Sequence, residues 1–75
     1  MKKEQLSLDT RVANALVARS TKERWPMHIQ LGIPFRSEND NHMVDITVEY
    51  EDDFPFNEIL SETINRVFNL KDKEL

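Results

Sequence analysis

Two runs of strictly alternating residues constrain this chain more than any other feature. Met27, Ile29, Leu31, Ile33 and Phe35 point one way, and His28, Gln30, Gly32 and Pro34 point the other. Val44, Ile46, Val48 and Tyr50 repeat the pattern, with Asp45, Thr47, Glu49 and Glu51 opposite. A period of two marks strands with one buried face. Between the runs, Ser37-Glu38-Asn39-Asp40-Asn41 consists of turn formers and polar residues. Residues 27–51 are therefore predicted to form a β-hairpin. A register pairing Phe35 with Val44 also pairs Ile33–Ile46, Leu31–Val48 and Ile29–Tyr50, and leaves a loop of about six residues. A slip of one residue would expose all of these side chains. On the outer, wet face this register sets His28 near Glu51 and Gln30 near Glu49.

Helical spacing brackets the hairpin. Ser7 or Asp9 offers a side-chain oxygen as a cap, and Leu8, Val12, Ala15, Leu16 and Arg19 recur at helical intervals. Ala13, Val17 and Ala18 widen the apolar sector beyond one stripe. The alanines favour helix and allow close packing on a sheet; the width would also suit a helix that touches two surfaces. Pro26 drives Trp25 out of the α region, so this helix ends near Arg24 or earlier. Downstream, Pro55 suits a first helical turn, and Asp52 and Asp53 favour its N-terminus. Phe56, Ile59, Leu60, Ile64, Val67 and Phe68 then form a single stripe, with Glu62 and Arg66 four residues apart on the surface. Lys71 and Lys73 suit its C-terminal end.

The expectation is an α+β fold of order α-β-β-α, in which two amphipathic helices cover one face of a two-stranded antiparallel hairpin. Residues 1–75 make one small domain, with 1–6 frayed and 71–75 a loose charged tail. Both strands of such a hairpin are edges, so two copies pairing edge to edge would make a four-stranded sheet across a homodimer. A chain this short has a thin stability margin, and small domains often add a disulfide, a metal or a partner subunit. With no cysteine and two isolated histidines, disulfides and a structural zinc are not expected, which leaves packing or oligomerisation. No apolar leader opens the sequence and no run approaches about 18 apolar residues. The expected location is the cytoplasm, or the host cytoplasm for a viral protein.

The net charge of −4 is unevenly spread: residues 1–36 carry +4 and residues 37–75 carry −8. Phosphate would be repelled by the acidic half, whereas a basic protein partner would be attracted to it. No catalytic signature is visible. The single glycine, Gly32, rules out a glycine-rich phosphate loop, and Ser7, Ser20, Ser37 and Ser61 lie in no nucleophile motif. The chain is expected not to be an enzyme, and no cofactor or metal is expected. His28 and His42 have no second ligand at helical or hairpin spacing and are read as solvent-facing. Trp25, held by Pro26 beside Met27, is read as part of the core rather than an interface anchor.

The leading functional expectation is a small protein-binding regulator or inhibitor. It would dock through the acidic set Asp45, Glu49, Glu51, Asp52 and Asp53, the exposed side of the first helix, or both. Its size, acidity and lack of catalytic signature are compatible with small phage or bacterial regulators, a likeness of composition alone. A second expectation is a dimeric nucleic-acid-binding regulator using Arg19, Lys22 and Arg24. A third is a structural subunit of a larger assembly.

Overall fold

A computed structural model describes residues 1–73, with side chains through Asn69. The chain is α+β, but with one more strand than the alternation shows: β1 (Lys2–Asp9), α1 (Thr10–Glu23), β2 (Met27–Arg36), β3 (His42–Tyr50) and α2 (Phe56–Lys73). The three strands form one antiparallel sheet in the order β1-β3-β2. The expected order α-β-β-α thus becomes β-α-β-β-α. Of the tail expected over 71–75, α2 takes in the backbone through Lys73, and residues 74 and 75 lie outside the described residues.

The segment expected to fray is β1. All eight of its residues pair with β3, from Lys2 opposite Tyr50 to Asp9 opposite Met43. Its alternation is short, because only Leu6 and Leu8 are apolar among Lys2, Glu4, Leu6 and Leu8 on the covered face. Leu8 also fits the helical spacing toward Val12. It is buried as part of a strand, because β1 and α1 feed the same core. With β1 in place, β3 is the central strand and only β1 and β2 have free edges.

The hairpin is present in a different register. Met27 pairs with Tyr50, Ile29 with Val48 and Leu31 with Ile46, two residues away from the expected register. A shift of two preserves the sidedness of every side chain. On the open face His28 lies opposite Glu49, not Glu51, and Gln30 opposite Thr47, not Glu49. Beyond Leu31 the alternation breaks: Pro34 pairs with Val44, so Gly32 and Ile33 together face Asp45 alone. This extra residue is a β-bulge. It rotates the rest of β2, placing Phe35 beside Met43 on the open face rather than in the core. Gly32 sits where a Cβ would lie 2.8 Å from the Asp45 carbonyl oxygen. The connecting loop, Ser37–Asn41, is closed by Ser37 N–H donating to the Asn41 carbonyl at 2.9 Å, with Asp40 at φ 61°.

The core consists of Leu8, Val12, Ala13, Leu16, Val44, Ile46, Val48, Tyr50 and Phe56. Helix α1 contacts all three strands and α2. Its wide apolar sector is thereby matched by two internal partners, the sheet and the second helix. Asp9 caps it, accepting from the Arg11 N–H at 2.8 Å, and Arg24 ends it in the left-handed region at φ 55°. The α2 stripe packs inward through Phe56, Ile59, Leu60, Ile64 and Val67. Buried among these, Thr63 returns its hydroxyl to the Ile59 carbonyl at 2.8 Å.

Candidate protein-interaction face

The helices cover one side of the sheet, and among the described residues no element covers the other. Antiparallel partners share a face, so the open side collects Lys3, Gln5, Ser7 and Asp9 from β1, Met43, Asp45, Thr47 and Glu49 from β3, and His28, Gln30 and, beyond the bulge, Phe35 from β2. A shallow depression at its centre is lined by Gln5, Ser7, Gln30, Gly32, Asp45 and Thr47. The Ser7 hydroxyl donates to the Asp45 carboxylate across the β1–β3 pair.

Of the five acidic candidates, Asp45 and Glu49 stand on this open face. They lie four residues apart on β3, about 14 Å along the strand at the usual rise. Glu51, Asp52 and Asp53 follow in the turn that leads to α2 and are exposed. The fold also brings basic groups to this region. Lys3 Nζ lies 4.0 Å from Glu49, and the N-terminal ammonium lies 3.6 Å from Asp52. The charge asymmetry along the sequence is therefore partly cancelled in space, because Lys3 and the N-terminal ammonium lie alongside Glu49 and Asp52. Glu51 and Asp53 make no salt bridge among the described residues.

The basic candidates separate. Arg19 is drawn inward: its Nη1 lies 3.4 Å from Glu62 in ion-pair range, and its guanidinium stacks 5.1 Å above the Trp25 ring. That Nη1 is buried and lacks hydrogen-bond geometry to any partner among the described residues. Glu62 in turn holds Arg66 at 2.8 Å. Lys22 and Arg24 remain exposed. The outward side of α1 is largely polar, comprising Arg11, Asn14, Ala18, Thr21 and Lys22.

Trp25 packs against the core and meets Phe54 at 6.0 Å; Tyr50 in turn stacks on Phe56 at 4.9 Å. These aromatics seal the end of the molecule where β1 begins and β3 ends. Burial pushes the Tyr50 hydroxyl's pKa upward, and the Glu4 carboxylate beside it adds to the shift. At the opposite end, Arg11 donates from its side chain and backbone to Asp9 and holds that carboxyl below its ordinary pKa, against a smaller opposing effect of burial. His28 and His42 are exposed. Among the described residues no group of three or more His, Cys, Asp or Glu side chains could hold a metal ion, and no helix is long and apolar enough to cross a membrane.

One group of surface residues was assigned to the core by the alternation. Leu31, Ile33 and Phe35 on β2 are 46%, 87% and 41% exposed. The signal was present in Gly32 and Pro34 flanking Ile33, since an isolated glycine in a strand pattern indicates a bulge. Comparison of the chain with protein-family models, with curated proteins and with solved structures found no match.

Proposed function

We propose that this protein is a non-enzymatic binding module that docks a basic surface of another protein and modulates it. The observation that carries the reading is the open sheet face. Its central strand bears Asp45 and Glu49 and leads directly into Glu51, Asp52 and Asp53. A largely polar sheet face with two carboxylates on its central strand gives orientation and electrostatic attraction to a basic partner. Glu51 and Asp53 supply the steering charge, because Lys3 and the N-terminal ammonium already lie near Glu49 and Asp52. The inward engagement of Arg19 leaves Lys22 and Arg24 as the exposed members of the basic set, which favours the acidic face over the nucleic-acid reading. The test is affinity capture from nuclease-treated lysate of the source cells, using the wild type and a Glu51→Lys/Asp53→Lys variant. A protein retained by the wild type, released by salt and lost from the variant is the expected result. Retention that the charge reversal leaves unchanged would remove the acidic docking surface.

A further inference from the structure

The open sheet face carries one carboxylate that the fold leaves without a counter-ion. Glu49 lies 4.0 Å from Lys3 Nζ, and Asp9 lies 3.1 Å from Arg11. Asp45 makes no salt bridge among the described residues. It stands on the central strand in the depression shared with Gln5, Ser7, Gln30, Gly32 and Thr47, whose lining holds no other ionisable side chain. The Ser7 hydroxyl donates to Asp45 Oδ1, which orients the carboxylate and leaves Oδ2 to an incoming donor. Across the β2–β3 pair stands Gly32, where a Cβ would lie 3.7 Å from the Asp45 Cβ. Glycine therefore leaves that flank of the carboxylate open. Two residues along β3, about 7 Å at the usual rise, Thr47 lies between Gln5 on β1 and Gln30 on β2. This row sets two amide groups and a hydroxyl beside the unpaired charge.

We propose that the depression seats the guanidinium of an arginine side chain presented by the partner. The inference rests on the open face being the docking surface, and it names what the partner brings there. The uncompensated carboxylate selects a cation and repels phosphate or an acidic peptide. The neutral groups around it select the kind of cation. Oδ2 of Asp45, the Thr47 hydroxyl and the side-chain oxygens of Gln5 and Gln30 are all acceptors, and they come from three strands. A guanidinium has five N–H donors fixed in one plane, so it can pair with the carboxylate and still donate sideways to the Thr47 row. An ammonium has three donors on one atom and is more strongly hydrated, so it reaches fewer of these acceptors at a greater dehydration cost. The depression is shallow and wet, so a lone arginine should bind with a Kd above about 1 mM. Within a docked partner this contact fixes orientation.

The test is an amide NMR titration of the isotope-labelled full chain with N-acetyl-arginine-N-methylamide and with its lysine counterpart, each to about 100 mM at constant ionic strength, a range that brackets the expected Kd. The amides of Gln5, Ser7, Gln30, Gly32, Asp45 and Thr47 should shift along one saturating curve, with the lysine compound about threefold weaker or more. Asp45→Asn keeps an acceptor for Ser7 at an exposed position, so it should keep the thermal transition and lose about tenfold in affinity. Gln5→Ala/Gln30→Ala keeps the carboxylate and should bring the two compounds to equal affinity. Shifts that never saturate, shifts confined to residues 51–53, equal binding of the lysine compound to the wild type, or unchanged binding by Asp45→Asn would each overturn the arginine site. No partner enters this titration. Its failure leaves the capture experiment with Glu51→Lys/Asp53→Lys standing, and a failed capture refutes the docking reading without altering the titration.

Discussion

Replacing Gly32 with alanine should destabilise the protein even though the site is on the surface. The added Cβ would stand 2.8 Å from the Asp45 carbonyl oxygen and 3.7 Å from the Asp45 carbonyl carbon. Carbon and oxygen do not approach that closely, and the obstacle is backbone, so the bulge must open or β2 must move away from β3. Forced overpacking of this kind costs about 1–3 kcal/mol. Alanine restricts the unfolded chain and returns about 0.4–1 kcal/mol. The net loss is therefore about 1–2 kcal/mol. In a domain of this size each kcal/mol moves Tm by roughly 4–8 °C, so the transition should fall by roughly 5–15 °C. Urea unfolding followed by circular dichroism should show a lower midpoint at unchanged slope, because the surface exposed on unfolding is the same. Ile33→Ala is the control at the neighbouring position: its side chain is exposed, so stability at low protein concentration should change by no more than about 0.5 kcal/mol. A Gly32→Ala protein as stable as the wild type would refute the reasoning, because Asp45 would then not crowd the glycine.

Deleting residues 1–6 should abolish the cooperative thermal transition, because β3 would lose most of its pairing along one edge and Leu6 would be lost from the core margin; a truncated chain melting like the full one would show that β1 does not contribute. Asp9→Ala should cost about 1 kcal/mol through loss of the α1 cap. Arg11 lowers the Asp9 pKa in the folded state, so its contribution is present above the unfolded carboxyl pKa and disappears as pH falls through the lower folded value. Urea midpoints measured from about pH 6 down to about pH 2.5 should therefore converge for Asp9→Ala and wild type only at the acid end; a gap that is constant across the range would show that the carboxylate charge is not what stabilises the cap.

Local patterning and the decisions left to tertiary structure divide along physical lines. The β2–β3 hairpin was legible because a period of two over nine residues has one structural solution, and the turn-forming run Ser37–Asn41 placed its loop. The α2 stripe was legible for the same reason at the helical period, and Pro26 fixed the region where α1 stops. Strand β1 was not, because a strand that presents only Leu6 and Leu8 to the core has too little alternation to stand out, and Leu8 matched the helical period of α1 equally well. The hairpin register depended on the bulge at Gly32–Ile33, which exists because β2 must pass close to the Asp45 backbone, a contact between strands that no local pattern contains. The acidic candidates were visible as residue types. Their setting was decided by β1, which lays Lys3 beside Glu49 and the N-terminus beside Asp52. The sequence by itself determined the α+β class, both helices and the two alternating strands, since these follow from the periodicity of side chains along a single segment. Only the tertiary structure decided the third strand, the register, and which charges and apolar side chains remain exposed, since each depends on what a distant segment places alongside.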